Sequence, residues 1–516
     1  MFSRRLEWIG VTGNEVLLQG GLRGVEKETL RVTDQGALSM APHPKVLGSA
    51  LTHPSITTDY SEALLELVTP PHRSNWQTLQ QLCDIHSFLH RSLDGELLWP
   101  MSMPCKLGGD LEIPIADYGT SNAGMMRTVY RRGLGHRYGR SMQAIAGVHF
   151  NYSPPIEFWP AFQDAEGDAG EIQAFRSTSL MGLVRNYYRY AWMVIYLFGA
   201  SPAFSKSFLP SGNSLLASLD AETWYGPHAT SLRMSDIGYQ NKTQARLQIS
   251  VNSLDDYLLG LTAAITTEEP RYADIGIIAD GDYQQLNANV LQIENEYYST
   301  IRPKPSKAAP RTTIGLREHG VEYVEVRTLD LSPADPIGMN QNQLRFLEVL
   351  LLFCLLEDSP PIDPSEQQEI SARNLSVARE GRRTDLQLPI GSGFRLRTDI
   401  VAQFRSRLLA VAAVLDGDGG EYSASVAAHL RMLEEPELTP SAVLMRELRE
   451  TGASFEEYGL EVARQHHAYF LSLQIESNKL LEFQREAAAS LDTARRLEQQ
   501  DVQRFSEYLG EFLQRV

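Results

Sequence analysis

The stretch Gly24–Val32, GVEKETLRV, constrains this chain more than any other. It alternates as a β-strand does, with successive side chains pointing to opposite faces. Glu26 and Glu28 then share one face with Leu30 beyond them, and Val25, Lys27 and Thr29 take the other. Two like charges about 6 Å apart repel by roughly 3 kcal/mol at an effective dielectric near 20. A fold that buries such a pair needs something positive between them; otherwise the face is solvated.

The pattern recurs downstream. Ile56–Thr69 carries Asp59, Glu62 and Glu66, and the Glu62/Glu66 spacing fits a helix face or alternate strand positions equally. Ser141–Tyr152 runs into GVHFNY, where Gln143, Gly147, His149 and Asn151 share one side of a possible strand. Val290–Tyr298 reads as a strand with Gln292, Glu294, Glu296 and Tyr298 on one face, and Val321–Leu329 as another with Tyr323, Glu325 and Arg327 together.

Around these strands the spacing predicts helices at Leu6–Leu18, Trp76–Asp94, Ile172–Leu197 and Leu254–Thr266. The turn Thr33–Gly36 allows Ala37–Met40 to return as a hairpin partner. Ser102–Tyr118, Ser205–Gly226 and the proline-bearing Ile301–Arg311 read as loops. From Asn340 the character turns helical: Gln343–Glu357, most of Asp399–Leu415, Tyr422–Glu434, Ser441–Thr451 and nearly all of Ser454–Val516. Strands separated by irregular loops predict an α+β fold, a mainly antiparallel sheet wrapped by helices, rather than a regular βαβ alternation. The division expected is a sheet-and-helix catalytic region, 1–339, and a helical region, 340–516, packed on the same core.

A formal charge of −17 argues against a nucleic-acid surface and for divalent cations as partners. The apolar runs Met193–Ala200 and Val349–Leu356 fall well short of the ~20 residues that cross a bilayer. Cys83, Cys105 and Cys354 lie far apart with no paired spacing, which points to a reducing, cytoplasmic setting. The chain has no P-loop, H-E-x-x-H or G-x-S-x-G pattern. Asp416–Gly420 has glycine where a calcium loop places an acid and reads as a turn.

Acids in apolar-flanked strands cost several kcal/mol to bury ionised unless compensated. Many carboxylates with one histidine, His149, suit Mg²⁺ or Mn²⁺ better than structural Zn²⁺; a hydrogen-bonded core histidine is the alternative. Arg131, Arg233 and Arg327, each near a tyrosine, carry guanidinium forks suited to carboxylate or phosphate. Each alone fits an arginine paired to an acid. Together, acids for metal and arginines for anions suggest metal-assisted phosphoryl transfer.

The stretches GVEKETLRV, LGSALTHPSITTDYSEALLELVTP, YGTSNAG, GVHFNYSPP, NYYRYAWMVIYLFGASPA, HATSLRMSDIGY, LQIENEYYSTIRPK and VEYVEVRTLDLSP follow in order across Gly24–Pro333. In them the chain resembles the glutamate–cysteine ligases of the proteobacterial, monofunctional type. The resemblance implies a curved antiparallel sheet like that of glutamine synthetase and the guanidino kinases, acting on L-glutamate, L-cysteine and ATP with Mg²⁺ (or Mn²⁺). It implies Glu26, Glu28, Asp59, Glu66, His149 and Glu325 around the metal, and Arg131 and Arg233 on glutamate or its phosphorylated side chain. Arg327 would neutralise the transferring phosphoryl group. Tyr60, Tyr130, Gln143, Tyr239 and Tyr298 would form the cysteine pocket, Tyr60 standing where the family has phenylalanine. Gln292 and Glu294 would lie on the nucleotide side. A cytoplasmic monomer with no nucleic-acid or membrane partner is expected.

Overall fold

The computed structural model describes residues 1–515 except 12, 239–246, 248 and 392. At its centre is Leu22–Thr33 (β1), a strand long enough to serve three neighbours. Leu64–Val68 (β3) and Val148–Ser153 (β5) flank it; Ile56–Thr58 (β2) lies outside β3, and Glu96–Leu98 (β4) pairs with the far end of β1. Tyr323–Leu329 (β7) pairs with β5, and Ile301–Lys304 (β6) closes that side as an edge. The order β6-β7-β5-β1-β3-β2 is antiparallel throughout.

Alternation on these strands sorts the chemistry. The back face carries Val25, Leu65, Leu67, Phe150, Val324 and Val326, all fully buried. They join one apolar core with Ile172–Leu197 (α3) and Gln341–Leu356 (α4). Helix α4 is apolar nearly all round, as a helix buried on every side must be, and a capping box between Asn340 and Gln343 fixes its start. Each fully buried Val, Leu or Phe contributes roughly 1.5–3 kcal/mol. That burial behind the sheet lets the front face hold acids. The same core takes in residues from Phe2 to Phe483.

Several local expectations change. Ile56–Thr69 resolves into β2 and β3, so Glu66 is a strand residue. Val290–Tyr298 is not a strand; it is loop with one 3₁₀ turn at Glu294–Glu296. Conversely Ile301–Arg311, read as loop for its prolines, opens with strand β6. Pro303 is tolerated there because an edge strand can spare an N–H. Leu6–Leu18 divides into a helix, Phe2–Ile9, and a 3₁₀ turn, Glu15–Leu18. Ala37–Met40 returns as expected, but only as one antiparallel bridge of Leu38 to Val32 with the Ser39 amide donating to Arg31 O at 3.0 Å, while β4 pairs with the opposite edge of the same end of β1. Ser205–Gly226 contains a small three-stranded sheet with Ala203–Ser205 at its start. The basic stretch Thr128–Arg140 lies mostly in a helix, Asn122–Tyr138 (α2), preceded in the chain by Asn75–Ser92 (α1). Pro364–Glu380 is a helix the periodicity did not suggest.

Candidate active site

Register alone brings the acids together. Glu26 on β1 faces His149 on β5, Glu28 faces Glu66 on β3, and Glu325 on β7 faces Asn151. His149 Nδ1 stands 3.2 Å from Glu26 Oε2 and 3.4 Å from Glu325 Oε1, and its Nε2 is 3.8 Å from Glu28 Oε1. Asn151 Nδ2 donates to Glu26 Oε1 at 2.9 Å, and the Gly147 amide donates to Glu28 Oε2 at 2.7 Å. One donor atom each from Glu26, His149 and Glu325 lies within 4.8 Å of the others, the one such group among the described residues.

Strand β7 carries a bulge: Arg327 and Thr328 together oppose His149. A bulge re-aims side chains. Here Thr328 turns to the back, where its hydroxyl meets Tyr187 at 2.6 Å. Arg327 turns to the front, its Nη1 donating to Glu325 and lying 3.4 Å from His149 Nδ1. Lys304 on β6 reaches Glu325 Oε2 at 3.1 Å.

These strands form one wall of a cavity of about 690 Å³. Helix α2 forms the opposite side with Tyr130, Arg131 and Leu134. Arg131 donates to the Asp59 and Thr58 carbonyls and lies 4.5 Å over the ring of Tyr118, whose hydroxyl donates to Thr58 O at 2.7 Å. Asp59 and Arg131 are thereby set by one backbone segment.

The electrostatics differ along the wall. Burial raises the Glu325 carboxyl, but Lys304, Arg327 and Arg302 more than offset this and hold it well below the ordinary carboxylate range. Burial, with Asp59 adding to it, pushes Glu28 up to about 8. Glu66 is raised well above its usual value by burial and by Glu26, Asp59 and Glu28. The donor set is mostly hard oxygen; within it Glu28 and Glu66 are shifted toward their protonated forms, and a divalent cation between them would favour the ionised ones. The residues fit Mg²⁺ or Mn²⁺.

Glu26, Glu28, Asp59, Tyr60, Glu66, Tyr130, Arg131, Gln143, His149, Glu294, Tyr298, Glu325 and Arg327 all line this cavity. Gln143 Nε2 donates to the Tyr298 hydroxyl at 3.0 Å. Tyr60 packs its hydroxyl against the helix backbone at Gly135, where a Cβ would come within 2.4 Å of it. Arg233 does not line the cavity: it lies beneath Gly147, donating to Arg327 O at 3.0 Å and facing Asp330 Oδ1 at 3.4 Å. Gln292 also lies off the cavity wall. It is fully buried, accepting from the Leu286 amide and donating to Tyr130 O, because the segment is loop and not the expected strand. Glu294 meets the cavity already bound to Arg311 and Thr313. Glu62 is elsewhere, accepting from His43 and Asp117 amides. Tyr239 lies outside the described residues.

The sequence reading missed Lys304 and Arg302, hidden in the stretch taken as loop, although their alternation (Arg302 facing Glu325 across the pair) was a usable signal. It missed Arg127 and Arg311. It also missed Tyr508 and Phe512, which come from Phe505–Gln514, beyond residue 339 where the catalytic region was expected to end.

The glutamate–cysteine ligase family model matches residues 6–377. A glutamate–cysteine ligase of Alcanivorax borkumensis is 44% identical over 504 residues, covering 96% of each chain. One from Azotobacter vinelandii is 45% identical over 520 residues, covering 99% of this chain and 98% of its own. Among solved structures, a Francisella tularensis glutamate–cysteine ligase in complex with AMP superposes with a TM-score of 0.91 at 33% identity, over 96% of this chain and 98% of that one. The chain belongs to the glutamate–cysteine ligase family.

Proposed function

We propose that this cavity joins the γ-carboxylate of L-glutamate to the amine of L-cysteine at the expense of ATP, the first step of glutathione synthesis. The observation that carries the reading is the polarity of one wall: a cation-demanding end at Glu28 and Glu66, and a cationic end at Lys304, Arg302 and Arg327. Such a wall holds metal and phosphate side by side.

Glu26, Glu28, Asp59, Glu66, His149 and Glu325 would hold Mg²⁺, which supplies charge neutralisation for the phosphates of ATP. Arg131 holds the glutamate, oriented by Tyr118 beneath it. A γ-carboxylate oxygen attacks the γ-phosphorus of ATP; the bond to the β–γ bridging oxygen breaks, and ADP leaves with that electron pair. Arg327 offsets the charge gathering on the transferred phosphoryl oxygens. The neutral amine of cysteine, positioned by Tyr60, Tyr130, Gln143 and Tyr298, then attacks the acyl carbon. Phosphate departs with the C–O electrons, and the proton lost by the nitrogen ends on that phosphate. Arg233, behind Gly147, holds the Arg327 backbone.

The three cysteines are unpaired, which suits a reducing cytoplasm; no described helix is long and apolar enough to cross a membrane. We take the working unit to be a monomer acting on small molecules. Incubation with glutamate, cysteine and MgATP should give γ-glutamylcysteine by mass spectrometry with stoichiometric ADP. ADP without a cysteine adduct, or no ADP at all, would overturn the reading.

A further inference from the structure

Helix Phe505–Gln514, called α6 with Ser477–Gln500 as α5 before it, has no chemistry in its sequence, yet it reaches the cavity. Its apolar residues recur at Phe505, Tyr508, Leu509, Phe512 and Leu513, one stripe of an amphipathic helix. They do not join the main core. Phe505 and Leu509 instead form a separate cluster with Val129 of α2 and Leu286, flanked by Met126, Tyr130 and Ile293. Phe505 meets the ring of Tyr283 edge to face at 5.0 Å.

The docking is pinned at the start of α2. Asp501 accepts from the Asn122 amide, Asn122 Nδ2 donates to Gln503 O at 3.0 Å, and Glu498 accepts from the Thr120 amide at 2.9 Å. An acid at a helix N-terminus is favourable for the dipole as well as the hydrogen bond. From this seat Tyr508 and Phe512 present their rings to the cavity. Phe512 lies 4.9 Å under the Arg311 guanidinium, which donates to Glu294 at 3.0 Å and to Arg515 O at 3.3 Å. A cation on an aromatic face, closed on its other edges, is a lateral seal as well as a contact.

We propose that α6 is the water-excluding wall of the substrate cavity, with Phe512 as the positioning residue that holds Arg311 and Glu294 in the seal, so that α6 controls how tightly ATP use is coupled to amide formation. This rests on the acyl-phosphate reading above. An acyl phosphate exposed to water is lost: a water oxygen attacks the acyl carbon, the C–O bond breaks with its electrons leaving on phosphate, and a proton passes to solvent. Glutamate is regenerated and one ATP has been spent for nothing.

The test measures ADP and γ-glutamylcysteine together in the full-length protein with MgATP, glutamate and cysteine. For the native protein the ratio should be near one; if it makes ADP but no dipeptide, the functional reading itself fails. In Phe512→Ala the ratio should rise about threefold or more, and Phe512→Leu, which keeps apolar volume, should recover most of the coupling. Asp501→Ala, which touches no cavity atom and removes the acceptor that pins the start of α2, should raise the ratio in the same direction and serves if Phe512→Ala does not fold. A ratio that stays near one in these folded variants while kcat falls would make α6 a structural element only, and would overturn the proposal with the functional reading intact.

Discussion

The crowded end of the wall makes a quantitative demand. Glu28 is raised from its ordinary 4.5 to about 8, first by burial and then by Asp59. A carboxyl whose folded value lies above its unfolded one costs stability as pH rises from the ordinary value, and the cost is complete above the folded value. Between 4.5 and pH 7, at about 1.4 kcal/mol per pH unit, this comes to roughly 3 kcal/mol in the metal-free protein. Glu28→Gln removes the titration and keeps an oxygen for the Gly147 amide; at pH 7 the native carboxyl already holds its proton, so this hydrogen bond is to a neutral group in both proteins. The variant should therefore be about 3 kcal/mol more stable than the native protein at pH 7 in EDTA, by urea unfolding followed through tryptophan fluorescence. At pH 5 the gain should vanish. Catalysis should fall by orders of magnitude, and saturating Mg²⁺ should stabilise the native protein more than the variant. A variant no more stable than native at pH 7, or one whose full gain persists at pH 5, would refute the claim that burial and Asp59 together resist ionisation of Glu28.

Arg327→Lys should lower kcat by about a hundredfold with a smaller rise in KM, since Nη1 alone meets Glu325 and His149 and leaves the rest of the guanidinium fork for a phosphoryl group, whereas an ammonium offers one nitrogen for all three; a rise in KM alone would make it a ground-state contact. Gly147→Ala should cut kcat/KM by about a hundredfold or more with circular dichroism unchanged, because a Cβ there would come within 2.0 Å of Arg233 Nη2. Native-like kinetics in that variant would show that Arg233 has room to move without consequence. Glu348→Ala should destabilise by about 3–5 kcal/mol in urea, since it leaves the Arg23 guanidinium, 3% exposed at the head of β1, buried beside no carboxylate.

What the sequence disclosed followed period two. Side chains alternate on β1 and β5, and on β7 as far as its bulge, so Glu26 with Glu28, His149 with Asn151 and Glu325 with Arg327 were legible as faces from the sequence. Cross-strand register was not legible, because nothing local says that Glu28 meets Glu66. The bulge beside His149 was equally hidden, since an extra residue in one strand is defined only against its partner. At β6, proline punctuation outweighed a real alternation and concealed Arg302 and Lys304. At Val290–Tyr298 the error ran the other way. An apolar–polar alternation there serves a loop whose acids are consumed inward, Glu296 by Arg137 at 3.0 Å and Glu294 by Arg311. The family resemblance supplied what periodicity could not, namely which faces belong to one cavity.

The back of the sheet explains why the front must import its positive charge. Lys27 lies between Glu26 and Glu28 in sequence, but alternation sends it to the opposite face, where its Nζ sits 2.8 Å from His86 Nε2 and burial lowers it to about 7. It is therefore a poor counter-charge for the acids on either side. On the front, Lys304, Arg302 and Arg327 gather around Glu325, while Glu66 faces Glu28 and has Asp59 close enough to raise it further. The protein's cations thus more than offset burial at Glu325, while Arg233 and Arg327 at Glu28 and Arg131 at Glu66 offset it only in part, the deficit that the proposed metal would meet. Phosphate, drawn to the cationic end, would complete the neutralisation from the opposite side. A wall balanced throughout by its own side chains would be more stable and would hold neither.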